Sequence, residues 1–212
     1  MESTSVQRAG AAASGKTLQY VTIGWNTAEG VIAIAAGVAA GSIALVGFGL
    51  DSAIEVSASL AALWRLHRDH DEEAREAAEG RALRLIGLSF LALAAYVLWE
   101  AASTLLERQP PEHSIVGIVL ASLSLVVMPV LAHVKRRIAT RLESGALEAE
   151  TRQTEICAWL SLILLVGLAL NASLGWWWAD PVAGIVMVPL IAREGIEAVR
   201  GKTCCCGGEG RQ

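Results

Sequence analysis

Six apolar stretches dominate this sequence, at 18–40, 42–66, 82–106, 115–134, 154–174 and 181–199. Each holds about 20 residues, which as a helix spans a hydrocarbon core of ~30 Å. Lipid offers the backbone no water to bond to, so each segment must satisfy its own amides, which selects helices. The alternation of period two that a membrane barrel needs is missing. A composition that is 54% hydrophobic over 212 residues is also too apolar for a soluble domain. The expected fold is an all-α membrane protein, a bundle of six transmembrane helices.

Six spans leave both termini on one side. That side collects Arg8, Lys16, Arg65, Arg68, Arg75, Arg81 and Arg84, then Lys135, Arg136, Arg137, Arg141 and Arg152, and finally Arg193, Arg200, Lys202 and Arg211. Arg108 alone falls on the other. The positive-inside rule then places both termini in the cytoplasm. This asymmetry says more than the formal net charge of −4. The Ala-rich, compact character of the chain points to a bacterial inner (plasma) membrane. Residues 1–17 are polar and small, without the charged-then-apolar order of a signal peptide, and read as a disordered cytoplasmic tail. Residues 18–200 form the transmembrane domain, and 201–212 a short Cys-rich tail.

Ala40-Gly41-Ser42 makes a tight hairpin between the first two helices, and RQPPEHS joins the third and fourth. In GWWWADP the tryptophans read as an interfacial belt, with Asp180 as a helix N-cap ahead of Pro181. Residues 10–17, GAAASGKT, fit the phosphate-loop pattern G-x-x-x-x-G-K-T. That loop needs a strand before it and a packed parallel sheet around it. Here a polar tail precedes it and a membrane helix follows, so the match is read as chance.

The stretch GFGLDSAIE places Asp51 and Glu55 four residues apart, on one face of the second helix and well inside the apolar run. An acid at a helix centre costs roughly 2.5–3.5 kcal/mol on insertion scales. One acid is explained by a polar contact between helices, while two on one face favour a cation or proton site. Glu29, near the middle of the first helix, can face them across the hairpin, as a proton carrier or as a packing partner. Asn26, one turn earlier, reads as its hydrogen-bond partner. On the fifth helix Glu150, Gln153 and Cys157 share a polar face. Gln153 and Cys157 could add an amide oxygen and a thiolate to the two carboxylates, a tetrahedral set suited to zinc. Cys157 is open to a second reading, as a small buried hydrophobe. Glu155 points away from Gln153, toward lipid headgroups or a neighbouring helix.

With six helices and the stretch SIALVGFGLDSAIEVSASLAALWRL, followed later by GWWWADP, the chain resembles the cation diffusion facilitator family from about Tyr20 to Arg200. It looks most like a small branch whose second helix reads GFGLDSxIE. The resemblance implies a divalent-metal site at mid-membrane, built by two acids on helix 2 and a His-x-x-x-Asp pair on helix 5. Asp51 and Glu55 match the first pair, with Glu in place of Asp at the second position. Aligning Ala149-Glu150 puts Gln153 and Cys157 where the family has His and Asp, a departure that bears on metal preference and proton coupling. Members of the family usually carry a cytoplasmic metal-binding domain after helix 6. The segment after Val199 is too short for one, so a homodimer would have to be held within the membrane. Gly37 and Gly41, in a GxxxG step, permit such close helix contact.

His67, His70 and Asp71 are accessory metal candidates in a charged linker. Cys204, Cys205 and Cys206 are accessory thiols, reduced in a cytosol, and equally readable as an unstructured or lipidated tail. The expected function is efflux of a divalent transition metal, zinc first, by alternating access in exchange for protons. Metal binding requires deprotonated ligands and releases their protons. The metal is cargo, and no prosthetic group, nucleic-acid partner or enzymatic nucleophile–base constellation is expected. The alternatives are a proton-coupled antiporter of another substrate and a membrane-embedded metal-binding regulatory protein.

Overall fold

The computed structural model describes residues 2–67, 72–107, 112–142 and 145–200. They form six helices: α1 (Glu2–Ala40), α2 (Ile43–His67), α3 (Glu72–Glu107), α4 (Ile115–Leu142), α5 (Gly145–Leu174) and α6 (Ala179–Val199). Among the described residues there is no strand. Five helices are long and apolar enough to cross a membrane, over Ala13–Ala40, Ile43–Trp64, Gly87–Glu107, Ile115–Leu142 and Glu150–Leu174. The sixth, α6, has 21 residues but carries Asp180, Arg193, Glu194 and Glu197. Leu88, Trp99, Ile115, Val126 and Trp159 point outward, as lipid-facing side chains do. This is a multi-pass membrane protein.

The first helix starts at Glu2, upstream of the apolar run, so the described part of the expected tail over 1–17 is helical rather than disordered. No proline interrupts Glu2 to Lys16, and its alanines let the span propagate backward. GAAASGKT therefore lies within a continuous helix, with no strand ahead of it.

α2 occupies the centre of the bundle, touching α1, α3, α5 and α6, while α3 pairs with α6 and α4 with α5. Glycines bring these axes together. A Cβ on Gly87 of α3 would sit 2.7 Å from the carbonyl oxygen of Gly195 and 2.7 Å from the amide nitrogen of Val199, both on α6. Gly37 faces α2 inside the same chain, where a Cβ would come 2.8 Å from the Val46 nitrogen, and Gly41 has φ 64° at the hairpin turn. The GxxxG step is thus used for the α1–α2 hairpin, not as a free face for a second copy.

One end of the bundle is tied by polar contacts. The Glu112 amide donates to the Ala40 carbonyl at 2.7 Å, and the Ser114 hydroxyl accepts from the Gly117 amide at 3.0 Å, capping α4. Asp180 does not cap its own helix. The residue flanking α6 is Trp178, already in a right-handed helical conformation without a side-chain cap, so Asp180 falls inside the first turn. Its fully buried carboxylate turns instead to the start of α2, accepting from the Ser42 hydroxyl at 2.5 Å and from the Ala44 amide at 3.5 Å. The Ser42 oxygen accepts in turn from the Leu45 amide at 3.2 Å. A negative group at these unpaired amides is favoured by both hydrogen bonding and the helix dipole. Beside it Trp176 and Trp178 stack, centroids 5.1 Å apart, and stay partly exposed as an interfacial belt requires.

Two stability tests follow from this packing. Asp180→Ala strands the Ser42 hydroxyl and the α2 amides, and should cost roughly 1–3 kcal/mol. Gly87→Ala forces apart two backbones in contact, and should cost a further 1–3 kcal/mol or so. Thermal unfolding in detergent should show both melting below the wild type, and an unchanged midpoint for either would refute its role.

Candidate functional site

The acids sit where lipid would surround a lone helix, and the bundle buries them. Asp51 on α2 is 3% exposed, and Glu55, one turn later, is completely buried. Ser52 lies between them on the side toward α1, where its hydroxyl donates to Glu29 Oε2 at 3.0 Å. Glu29 interacts electrostatically with both Asp51 and Glu55, so the hairpin does bring the third acid to the pair. Gly30 and Gly49 make this approach possible: a Cβ on Gly30 would lie 3.1 Å from the Gly49 oxygen. Asn26 uses its amide on the Thr22 carbonyl of its own helix at 3.1 Å, and makes no hydrogen bond to Glu29.

α5 meets α2 along Glu150, Thr154 and Cys157, a buried strip at helical spacing, and one turn on Ser161 turns to Ser124 of α4 at 3.0 Å. Cys157 is the α5 residue that interacts with Asp51. Glu55 is met by Thr154, whose hydroxyl donates to Glu55 Oε1 at 2.5 Å. Gln153 is buried, but its Nε2 has no partner, and no contact joins it to either acid. Thr154, absent from the expected ligand set, is one residue further on and points into the interface. The signal for it was present, since Glu150 and Thr154 are four residues apart.

Lys135 is the larger surprise. The sequence places it among the cytoplasmic loop cations after the fourth span. In the structure α4 runs on to Leu142, and Lys135 is 2% exposed. Its ammonium lies 2.8 Å from Glu150 Oε1, 3.5 Å from Glu55 Oε1 and 2.8 Å from the Thr154 hydroxyl. Glu150 also accepts from Ser59 at 2.8 Å and from Gln19 at 2.6 Å. One residue on, Arg136 pairs with Glu155 on the exposed side of the same α4–α5 contact. Glu155 thus reaches a neighbouring helix, as its position suggested.

The chemistry of this interior follows from its inventory. Among the described residues, four buried carboxyl groups, Glu29, Asp51, Glu55 and Glu150, gather here against one buried ammonium, that of Lys135, which contacts Glu55 and Glu150. Buried charge of one sign must be balanced, by a proton or by a cation. Glu55 Oε2, Glu29 Oε1 and Asn26 Oδ1 are buried without a hydrogen-bond partner, and all three are acceptors. Unmet acceptors beside a thiol suit a cation better than an anion. Among the described residues, no three His, Cys, Asp or Glu side chains stand together as a metal-holding group. His113 and His133 are exposed and apart from the acids. Of the accessory candidates, His67 ends α2 with its side chain outside the described residues; His70, Asp71, Cys204, Cys205 and Cys206 lie outside them altogether.

Comparison with known proteins converges on the same region. The family model for the cation efflux transmembrane domain matches residues 20–201, which includes every helix facing the acids. An uncharacterized transporter of Synechocystis sp. is 27% identical over 151 residues, covering 68% of this chain and 49% of that protein. The cation-efflux pump FieF of Shewanella oneidensis is 24% identical over 113 residues, covering 53% of this chain and 36% of the pump. The chain thus spans about half or less of the length of these relatives. With a match that runs through α2 and α5 and nearly the whole bundle, the chain belongs to the cation efflux family.

Proposed function

We propose that this protein moves a divalent transition metal, zinc first, out of the cytosol, by alternating access around Asp51 and Glu55 in exchange for protons. The observation that carries the reading is the pair itself: two buried carboxylates one turn apart, one with a free oxygen and the other against a thiol. Asp51, Glu55 and Cys157 supply carboxylate and thiolate donors, a set that a borderline ion accepts. Gln153 joins only by turning toward the pair. Because no three ligands stand together in this conformation, metal binding draws α2 and α5 closer around the ion. Each ligand must be deprotonated to bind, so arrival of metal expels protons and return of protons expels metal. Glu29 is the carrier nearest the pair, with Ser52 between them.

The membrane arrangement proposed with this function has six spans, both termini in the cytoplasm, and a homodimer in a bacterial inner membrane. The basic residues of the α4 end and the C-terminal segment support that orientation. A membrane-impermeant maleimide should leave Cys204, Cys205 and Cys206 unlabelled in intact cells and label them after permeabilisation. Labelling before permeabilisation would reverse the topology.

Transport is tested with purified protein in liposomes holding a fluorescent zinc indicator. The wild type should carry zinc in answer to a pH gradient, and Asp51→Asn or Glu55→Gln should slow it roughly 10–100-fold or more, at least the loss seen when a metal site's outer partners are removed. Equal flux in wild type and variants would make the acids structural. Zinc binding without flux would favour a regulatory membrane protein, and proton-coupled flux of another solute without zinc binding would favour an antiporter of that solute.

A further inference from the structure

The reading of Asp51 and Glu55 as a metal site leaves one buried charge unused, the ammonium of Lys135. A lysine is almost never fully buried unless paired, and this one is paired with a residue of the candidate site. Its three contacts are unequal. Glu150 Oε1 and the Thr154 hydroxyl each lie at 2.8 Å, while Glu55 Oε1 is at 3.5 Å. Lys135 therefore keeps its closest partners if Glu55 leaves. Glu55, for its part, is held through Oε1 alone, by Thr154 and Lys135, and its Oε2 remains buried without a partner. One oxygen is fixed and the other is available for a second cation.

We propose that Lys135 is a built-in cation that shares Glu55 with the transported metal, holding the carboxylate in place through one oxygen and weakening the metal's grip on the other. This rests on the transport reading above and adds to it a residue on α4, outside the acid pair and outside α5. The physical basis is the interaction of fixed charges. Glu150, the nearer of its two carboxylates at 2.8 Å, offsets the Lys135 charge at a distance, but at Glu55 the ammonium, 3.5 Å from Oε1, is the charged group in contact. A positive charge a few ångström from a divalent ion opposes its binding, and a low-dielectric interior enlarges the effect. A transport site needs that opposition, because a metal held too tightly is not released within a turnover. Thr154 serves both sides of the exchange. Its hydroxyl contacts the ammonium and Glu55 Oε1 alike, so the carboxylate keeps a hydrogen bond whichever cation it faces.

The test separates charge from architecture. Lys135→Met alone strands Glu150 without its ammonium and is a poor probe, since a buried unpaired carboxylate is itself disruptive. Lys135→Met with Glu150→Gln removes a cation and an anion together, leaves net charge unchanged and keeps hydrogen-bonding groups for Ser59 and Gln19. Lys135→Gln with Glu150→Gln is the alternative where the methionine lowers the yield. Zinc affinity of detergent-purified protein is measured by titration calorimetry, and release by stopped-flow with a chelating dye. The double variant should bind zinc about tenfold more tightly or better, with the gain in slower release, because the cation in contact with Glu55 is gone. Lys135→Arg, which keeps the charge, should stay near the wild-type affinity. A folded double variant that binds zinc as the wild type does, or more weakly, overturns the proposal and leaves the transport reading standing. A wild type that binds neither zinc, cadmium, cobalt nor manganese overturns the transport reading and this proposal with it.

Discussion

A carboxylate taken into a bundle surrounded by lipid has to be answered by a hydrogen bond, a proton or an opposite charge, and much of this fold is arranged around that requirement. Glu150 has Lys135, Ser59 and Gln19; Glu55 has Thr154 and a share of Lys135; Glu29 has Ser52; Asp51 has Cys157; Asp180 has Ser42 and the start of α2. Removing one partner of a buried pair leaves the other uncompensated, a heavy cost. These groups come from α1, α2, α4, α5 and α6, so the polar interior specifies which helices must meet and at what rotation. The apolar contacts around them, Phe48, Leu160, Leu164 and Met187 among them, are interchangeable by comparison.

The helices themselves were legible because lipid leaves a chain so few choices. Apolar length and the absence of period-two alternation led to a six-helix bundle, and the hairpin at Gly41 followed from its small residues. Asp51, Glu55 and Glu29 stood out because an acid in an apolar run needs a reason. Cys157 was found through the polar face of α5, and does reach Asp51.

What the sequence hid was the destination of residues near span boundaries. Lys135 follows directly on an apolar run and is succeeded by two arginines, which is the pattern of a cytoplasmic edge. A tally of basic residues assigns it outward, yet α4 continues past the run, and at its rotational position Lys135 turns toward Glu150 while Arg136 turns out. Gln153 and Thr154 differ by one residue, or 100° around the helix. Alignment to a family pattern favoured Gln153, while the packing of α5 against α2 gives the contact to Thr154. Asp180 carried the signature of an N-cap, but the helix begins at Ala179, two residues earlier than that role requires. In each case the residue type was informative and its partner lay on another helix.

Asp180 joins the start of α6 to the start of α2 through Ser42, and its effect reaches beyond stability. Separating the two helices at that end means breaking a buried, charged hydrogen bond and uncovering the α2 amides. At the opposite end, α2 and α6 share no such tie among the described polar contacts. A rearrangement that spreads this helix pair therefore pivots at the GWWWADP end, with Asp180 as its hinge pin and the far ends of α2 and α6 tracing the wider arc. The acid pair, about two and a half to three and a half turns further along α2 from the pin, sits partway along that lever, where a swing at the far end translates into roughly a third to a half of that displacement at the ligands.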